Sequence, residues 1–244
     1  APSLLSASEL NILVRSATIN IFFTMGGTED MSGSGVVIDE RGLILTNAHI
    51  AQYLLLDTYK GMPFVTCDIR TGSPAHAMFK GELLYLPSRW IEAHATDISD
   101  ESKDGVAGTG EHDYALVRVI PDPFAATTSL SFLPPAYKGA GLSRNEAVLA
   151  ASYPAGFLGA ESLQKNLWLI SSFTEIKELY SFASSTPGLV DVFSLHGVIG
   201  AQEGSSGGAV VRATDGKLLG LVVTRSLGDT TGDRDLFALG IPYI

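Results

Sequence analysis

Twelve short runs of β-branched, aromatic and aliphatic residues, broken by glycine, proline, asparagine and aspartate, divide this chain into two sets of six. The first set covers Thr18 to Phe23, Gly35 to Ile38, Leu43 to Thr46, Phe64 to Ile69, Ala77 to Leu86 and Asp113 to Val119. The second covers Ala147 to Ser152, Leu167 to Phe173, Val190 to Leu195, Gly208 to Arg212, Lys217 to Val223 and Phe237 to Ile241. Runs of this length between turn residues read as strands. A six-stranded sheet leaves two open edges unless it closes on itself, so the pattern predicts an all-β fold of two closed antiparallel barrels. One helix precedes them. Ser6, with Glu9 three residues on and Leu10, Ile12, Leu13 and Val14 following, is a capping-box start. The proline-rich stretch from Pro121-Asp122-Pro123 to Leu133-Pro134-Pro135 reads as the crossover. The expected division is 1–122 for the leading helix and first barrel, 123–146 for the linker and 147–244 for the second barrel.

Bulk properties narrow the partners. With 244 residues, 45% of them apolar, the chain can bury a real core, and no apolar run is long enough for a membrane span. The net charge of −10 argues against a nucleic-acid partner, whose phosphates need clustered Lys and Arg, and against docking on anionic lipid. A single cysteine, Cys67, excludes an intramolecular disulfide. Its position in a strand reads as a buried small apolar residue rather than a reactive thiol.

The chemistry is concentrated at Gly204-Ser205-Ser206-Gly207-Gly208. A serine between glycines suits a hydroxyl nucleophile, because a sharp turn beside a substrate carbonyl leaves no room for a β-carbon. The same string fits the G-x-S-x-G pattern of α/β-hydrolases, but those place their histidine after the serine, and all five histidines here precede Ser206. The order histidine, aspartate, serine remains. His49 has the most telling setting: Leu43-Ile44-Leu45-Thr46 reads as a strand, and Asn47-Ala48-His49-Ile50-Ala51 leaves it to start a short helix, putting the imidazole beside a cleft. His76, His94, His112 and His196 lack such a setting. Asp113 opens the strand Asp113-Tyr114-Ala115-Leu116-Val117-Arg118-Val119, where a carboxylate can be held against an imidazole, although taken alone it is also an ordinary strand-initiating residue. A subtilisin order needs aspartate before histidine. Asp30 and Asp39 precede His49, but neither sits in that family's motif.

Gly-Ser-Gly at Gly33 to Gly35, Leu-Thr-Asn-Ala-His ending at His49, Asp-Tyr-Ala-Leu from Asp113 and Gly-Ser-Ser-Gly-Gly-Ala from Gly204 together resemble the trypsin-like serine peptidases, and within them the bacterial HtrA-like branch. The resemblance covers roughly residues 10 to 244. It implies a chymotrypsin-like fold with its active site in the cleft between the barrels, a catalytic triad of His49, Asp113 and Ser206, and an oxyanion hole from the backbone amides of Gly204 and Ser206. The implied activity is endopeptidase action on polypeptide substrates, without metal or other cofactor. A catalytically silent binding or chaperone-like protein on the same fold is the alternative.

Departures from the family pattern carry information. Trypsin and chymotrypsin place an aspartate immediately before the nucleophile to pair with a processed amino terminus; here that position is Ser205, which implies activity without such insertion. The position of trypsin's specificity aspartate is Gly200, and the pocket wall matches Val223, Thr224 and Arg225, with Ala238 nearby. An uncharged floor implies cleavage after apolar or small residues, with Arg225 open as a modifier. Between Glu92 and Glu111, Asp97, Ser99 and Glu101 suggest a calcium loop, but Ser102 and Gly108 occupy the places of its glycine and bidentate glutamate, so a solvated insertion is expected instead; Asp100 and Asp104 belong to it. Relatives in this branch commonly carry a PDZ domain and form trimers. No PDZ domain is expected in a chain ending at Ile244, a homo-oligomer is allowed, and the resemblance points to the bacterial envelope, periplasm or exterior.

Overall fold

The computed structural model describes residues 5–26, 29–58, 65–95, 110–120, 129–137, 141–156, 158–182, 189–196, 202–225 and 235–244. The first barrel is built from β1 (Thr18–Met25), β2 (Glu29–Asp39), β3 (Leu43–Thr46), β4 (Val65–Thr71), β5 (His76–Tyr85) and β6 (Ala115–Ile120), in the order β1-β2-β3-β6-β5-β4 and closed by β4 on β1. The second uses β7 (Ala147–Ser152), β8 (Ile170–Tyr180), β9 (Val192–Leu195), β10 (Ala209–Arg212), β11 (Leu218–Arg225) and β12 (Leu236–Gly240), in the order β10-β11-β12-β9-β8-β7, closed by β7 on β10. Every pairing between these strands is antiparallel. The all-β, two-barrel architecture is the one the strand pattern predicts.

Side chains alternate across each strand, and this sorts most of the buried apolar residues into three cores, with a smaller cluster of Val192, Val223 and Leu239 beside them. Ile19, Ile21 and Phe23 of β1, with Val37, Ile44, Cys67, Ile69 and Val117, fill the first barrel. Val148 and Ala150 of β7, with Phe193, Val210, Leu219 and Ala238, fill the second. Their neighbours in sequence point the other way: Val36, Leu45, Leu149, Ala151, Ala209 and Val211 meet between the barrels in a third core. Strands apolar on both faces are thus required where two barrels share a wall.

Helix α1 (Ala7–Ala17) seals that wall. Leu10, Val14 and Ala17 fall on one face and are buried with the inter-barrel core. The Ser6–Glu9 capping box is present, as expected. Arg15 donates to Leu169 O at 3.0 Å and Ser171 Oγ at 3.3 Å, tying the helix to the second barrel. The crossover links the two in the same manner: Leu133 N–H donates to Val37 O and Ala136 N–H to Leu218 O, both at 2.9 Å.

Some boundaries differ from expectation for identifiable reasons. β8 begins at Ile170, not Leu167, because Leu167 O accepts from Ala75 N–H (2.7 Å) and Leu169 N–H donates to Ser73 Oγ (3.1 Å), bonds made to the first barrel instead of the sheet. β6 begins at Ala115, two residues beyond Asp113, whose carbonyl is committed to Asn47. Two short helices were not foreseen. In α3 (Ser88–His94) Trp90 turns inward; α4 (Ala160–Lys165) ends on the buried Arg70, whose guanidinium donates to Leu163 O and Gln164 O and so satisfies carbonyls left open by the last turn. Most of the acidic stretch, including Asp97, Asp100 and Asp104, lies outside the described residues.

Candidate active site

β3 ends at Thr46, and Asn47 turns the chain into α2 (Ala48–Ala51). Ile50 and Ala51 pack into the first-barrel core, so the one-turn helix is rotated with His49 toward solvent, its side chain 24% exposed. Asp113 follows a tight turn in which Asp113 N–H donates to Gly110 O (3.2 Å) and His112 adopts a φ of 60°. Its carboxylate is buried and faces His49 twice. Oδ1 accepts the His49 backbone N–H at 2.9 Å, and Oδ2 lies 2.7 Å from His49 Nδ1. A carboxylate only accepts, so Nδ1 carries the proton and the neutral ring keeps its lone pair on Nε2.

Two residues that the sequence reading passed over hold this pair in place. Asn47 Nδ2 donates to Asp113 O at 2.9 Å from a fully buried position. Tyr243, at the far end of the chain, accepts from His112 N–H at 3.1 Å, and its ring lies near those of His112 and Tyr114. The Asn-Ala-His string could have flagged Asn47; nothing local marks Tyr243.

Ser206 sits in a loop pressed against the first barrel. Ser34 N–H donates to Ser206 O at 2.8 Å, and a β-carbon on Gly207 would fall 1.9 Å from Ser34 O and 2.7 Å from Thr46 Oγ1. Only glycine permits that approach, made three residues from His49. Gly204 has a φ of 84°, and a β-carbon there would meet Ala155 N and Tyr153 O at 2.8 Å. The Ser206 hydroxyl donates to Val223 O at 3.4 Å, and no hydrogen bond joins it to His49.

The amides of this loop have a defined direction. Glu203 O accepts from Ala155 N–H (2.6 Å) and Ser205 O from Gly208 N–H (2.9 Å). In a trans peptide the N–H points opposite to the carbonyl, so Gly204 N–H and Ser206 N–H are turned away from these anchors. Among the described residues neither amide has an acceptor. Two unclaimed donors flanking a hydroxyl are what a developing oxyanion needs.

The other expected site residues are scattered. Ser205 is buried. Val223 is buried; a β-carbon on Gly110 would fall 3.2 Å from its side chain, and its carbonyl accepts the Ser206 hydroxyl, so it lies beside both the Asp113 turn and Ser206. Thr224 is exposed, opposite Phe237 in the β11–β12 register, and Arg225 stands opposite Leu236 there. Ala238 is fully buried in the second-barrel core, paired with Val222 and Phe193. Gly200 lies outside the described residues, as does the Arg225 side chain.

Residues 33–221 match the family model described as a trypsin-like peptidase domain. No curated protein matches the chain. Among solved structures, the crystal structure of Deg5 superposes with a TM-score of 0.61 at 15% identity, covering 97% of this chain and 91% of that one; at that identity the likeness establishes the fold alone.

Proposed function

Because the chain belongs to the trypsin-like peptidase domain family, we propose that it is a serine endopeptidase of the HtrA-like kind, with His49 as general base, Asp113 as its orienting acid and Ser206 as nucleophile. The observation that carries this reading is the pair of free amides at Gly204 and Ser206 flanking the Ser206 hydroxyl.

In the proposed reaction the Ser206 hydroxyl leaves Val223 O and donates to His49 Nε2. Oγ then attacks the peptide carbonyl as its proton passes to Nε2. The carbonyl oxygen becomes an anion held by the amides of Gly204 and Ser206, an interaction worth about 2.7–4 kcal/mol per donor in the transition state. Asp113 steadies the imidazolium through Nδ1–H. His49 returns the proton to the leaving amine, and water repeats the sequence on the acyl-enzyme.

The pocket reading is carried by residue type: uncharged Val223 and Thr224, with Gly200, suit apolar or small P1 side chains, and Ala238, buried in the second-barrel core, would back that wall from within. By the same likeness we assign the protein to the bacterial envelope or exterior, acting on polypeptides, with self-association an open arrangement.

The Ser206–Val223 bond favours the second reading, a silent peptidase-fold binding protein, since it leaves the hydroxyl off the base. Digestion of unfolded β-casein separates the two. The enzyme reading expects cleavage by wild type and none by S206A or H49A, followed by a peptide-library profile rich in apolar or small P1 residues. Intact casein with wild type would favour the silent protein, and a profile dominated by Arg or Lys would refute the pocket assignment.

A further inference from the structure

Four successive carbonyls run through the nucleophile loop, at Glu203, Gly204, Ser205 and Ser206, and each is held by a donor. Ala155 N–H and Gly208 N–H, from the second barrel, take the first and third. The second and fourth are both taken by one first-barrel residue, Ser34 of β2. Its hydroxyl donates to Gly204 O at 2.8 Å and its N–H to Ser206 O at 2.8 Å. The hydroxyl also accepts Tyr153 N–H at 2.9 Å, which fixes where its own proton points. Ser34 is fully buried, and the glycines on either side leave room for the isoleucines of the first-barrel core, since a β-carbon on Gly33 or Gly35 would lie 2.8 Å from one of them.

We infer that Ser34 is a positioning residue for the oxyanion hole. It pins the peptide plane lying between the two amide donors, and it does so from the opposite barrel. Gly204 has no β-carbon and a φ of 84°, so sterics do little to stop rotation of the Gly204–Ser205 peptide. The Ser34 hydroxyl restrains the carbonyl end of that peptide at 2.8 Å, the shorter of its two bonds, the amide end being held by Ser205 N–H to Gln202 O at 3.3 Å. The relay Tyr153 N–H, Ser34 O–H, Gly204 O spans both barrels and makes the spacing of the two donors depend on how the barrels dock. Removing the hydroxyl strands a half-buried carbonyl and a buried amide and leaves the plane between the two donors held only at its amide end, by the 3.3 Å bond to Gln202 O. The inference rests on the serine-peptidase reading.

The test uses purified full-length wild type and the variants S206A, S34A and T46V. Labelling by a fluorophosphonate comes first: labelled wild type with unlabelled S206A supports the peptidase reading. An unlabelled wild type overturns that reading, and this one with it, before any Ser34 variant is measured. On fluorescent casein, S34A is expected to lose kcat by about 10²-fold, the scale of a small misplacement of catalytic groups, with little change in KM and an equally slowed fluorophosphonate reaction. T46V removes the Thr46 Oγ1 bond to Ser34 O (2.8 Å) and leaves the Ser34 hydroxyl untouched, so it is expected to lose stability but keep kcat. A folded S34A with wild-type kcat overturns the inference, as does a kcat loss in T46V matching that in S34A. Should S34A not fold, S34C keeps a weaker donor at the same place; a partial loss of kcat at constant KM supports the inference and wild-type kcat overturns it.

Discussion

The His49 backbone amide decides what an asparagine at position 113 would do. It can only donate, and it donates to Asp113 Oδ1 at 2.9 Å. In D113N the side-chain oxygen therefore has to face that N–H, which turns the new NH₂ toward His49 Nδ1, 2.7 Å from the second carboxylate oxygen in the wild type. Nδ1 must then accept, the ring proton moves to Nε2, and the atom that should take the Ser206 proton is already protonated. The reverse amide orientation restores the useful tautomer but sets donor against donor at the backbone. Two buried unpaired donors cost about 1–3 kcal/mol each. The neutral amide also no longer stabilises the imidazolium. Together these amount to roughly a 10⁴-fold loss in kcat, or about 5.4 kcal/mol at 1.36 kcal/mol per tenfold. Casein hydrolysis under saturating substrate measures it, with circular dichroism expected to show an intact fold. A D113N enzyme within tenfold of wild type would refute the tautomer argument.

Three further outcomes follow from contacts already described. N47A leaves Asp113 O without its 2.9 Å donor in a fully buried setting; it should destabilise by about 1–3 kcal/mol in urea unfolding and lower kcat more than KM. G207A places a β-carbon 1.9 Å from Ser34 O at a φ of 84°, so strain and overpacking together should cost roughly 3–5 kcal/mol in urea unfolding; wild-type stability would contradict this account of the loop. Burial pushes the Cys67 thiol up to about 12. Since the folded value is the higher one, this contribution to stability is complete below the ordinary thiol value of about 8.5 and is lost as pH rises from there toward about 12. Ellman's reagent at pH 8 should find no thiol in the native protein and one per chain in urea.

Much of this arrangement is written locally in the chain. Alternating apolar residues mark the strands because each must turn one face to a barrel interior and, at β7 and β10, the other face to the shared wall. The glycines around Ser206 mark its loop because a β-carbon at Gly204 or Gly207 would collide with backbone. What is hidden are the supports, whose partners are remote. Asn47 reaches across 66 residues to Asp113, Tyr153 across 119 to Ser34, Tyr243 across 131 to His112, and Ser34 across 170 to Gly204. No pattern of period two or four encodes a hydrogen bond over such a span. The same holds for the late start of β8, displaced because Leu167 and Leu169 bond to the first barrel.

In the proposed mechanism the Ser206 hydroxyl is activated by His49 beside two free amides. Mass-spectrometric mapping of the adduct after brief fluorophosphonate treatment tests it most directly. A single modified peptide containing Ser206 is expected in wild type, with the adduct lost in S206A and strongly slowed in H49A. A wild-type protein that stays unmodified, or one modified equally fast without His49, would contradict it.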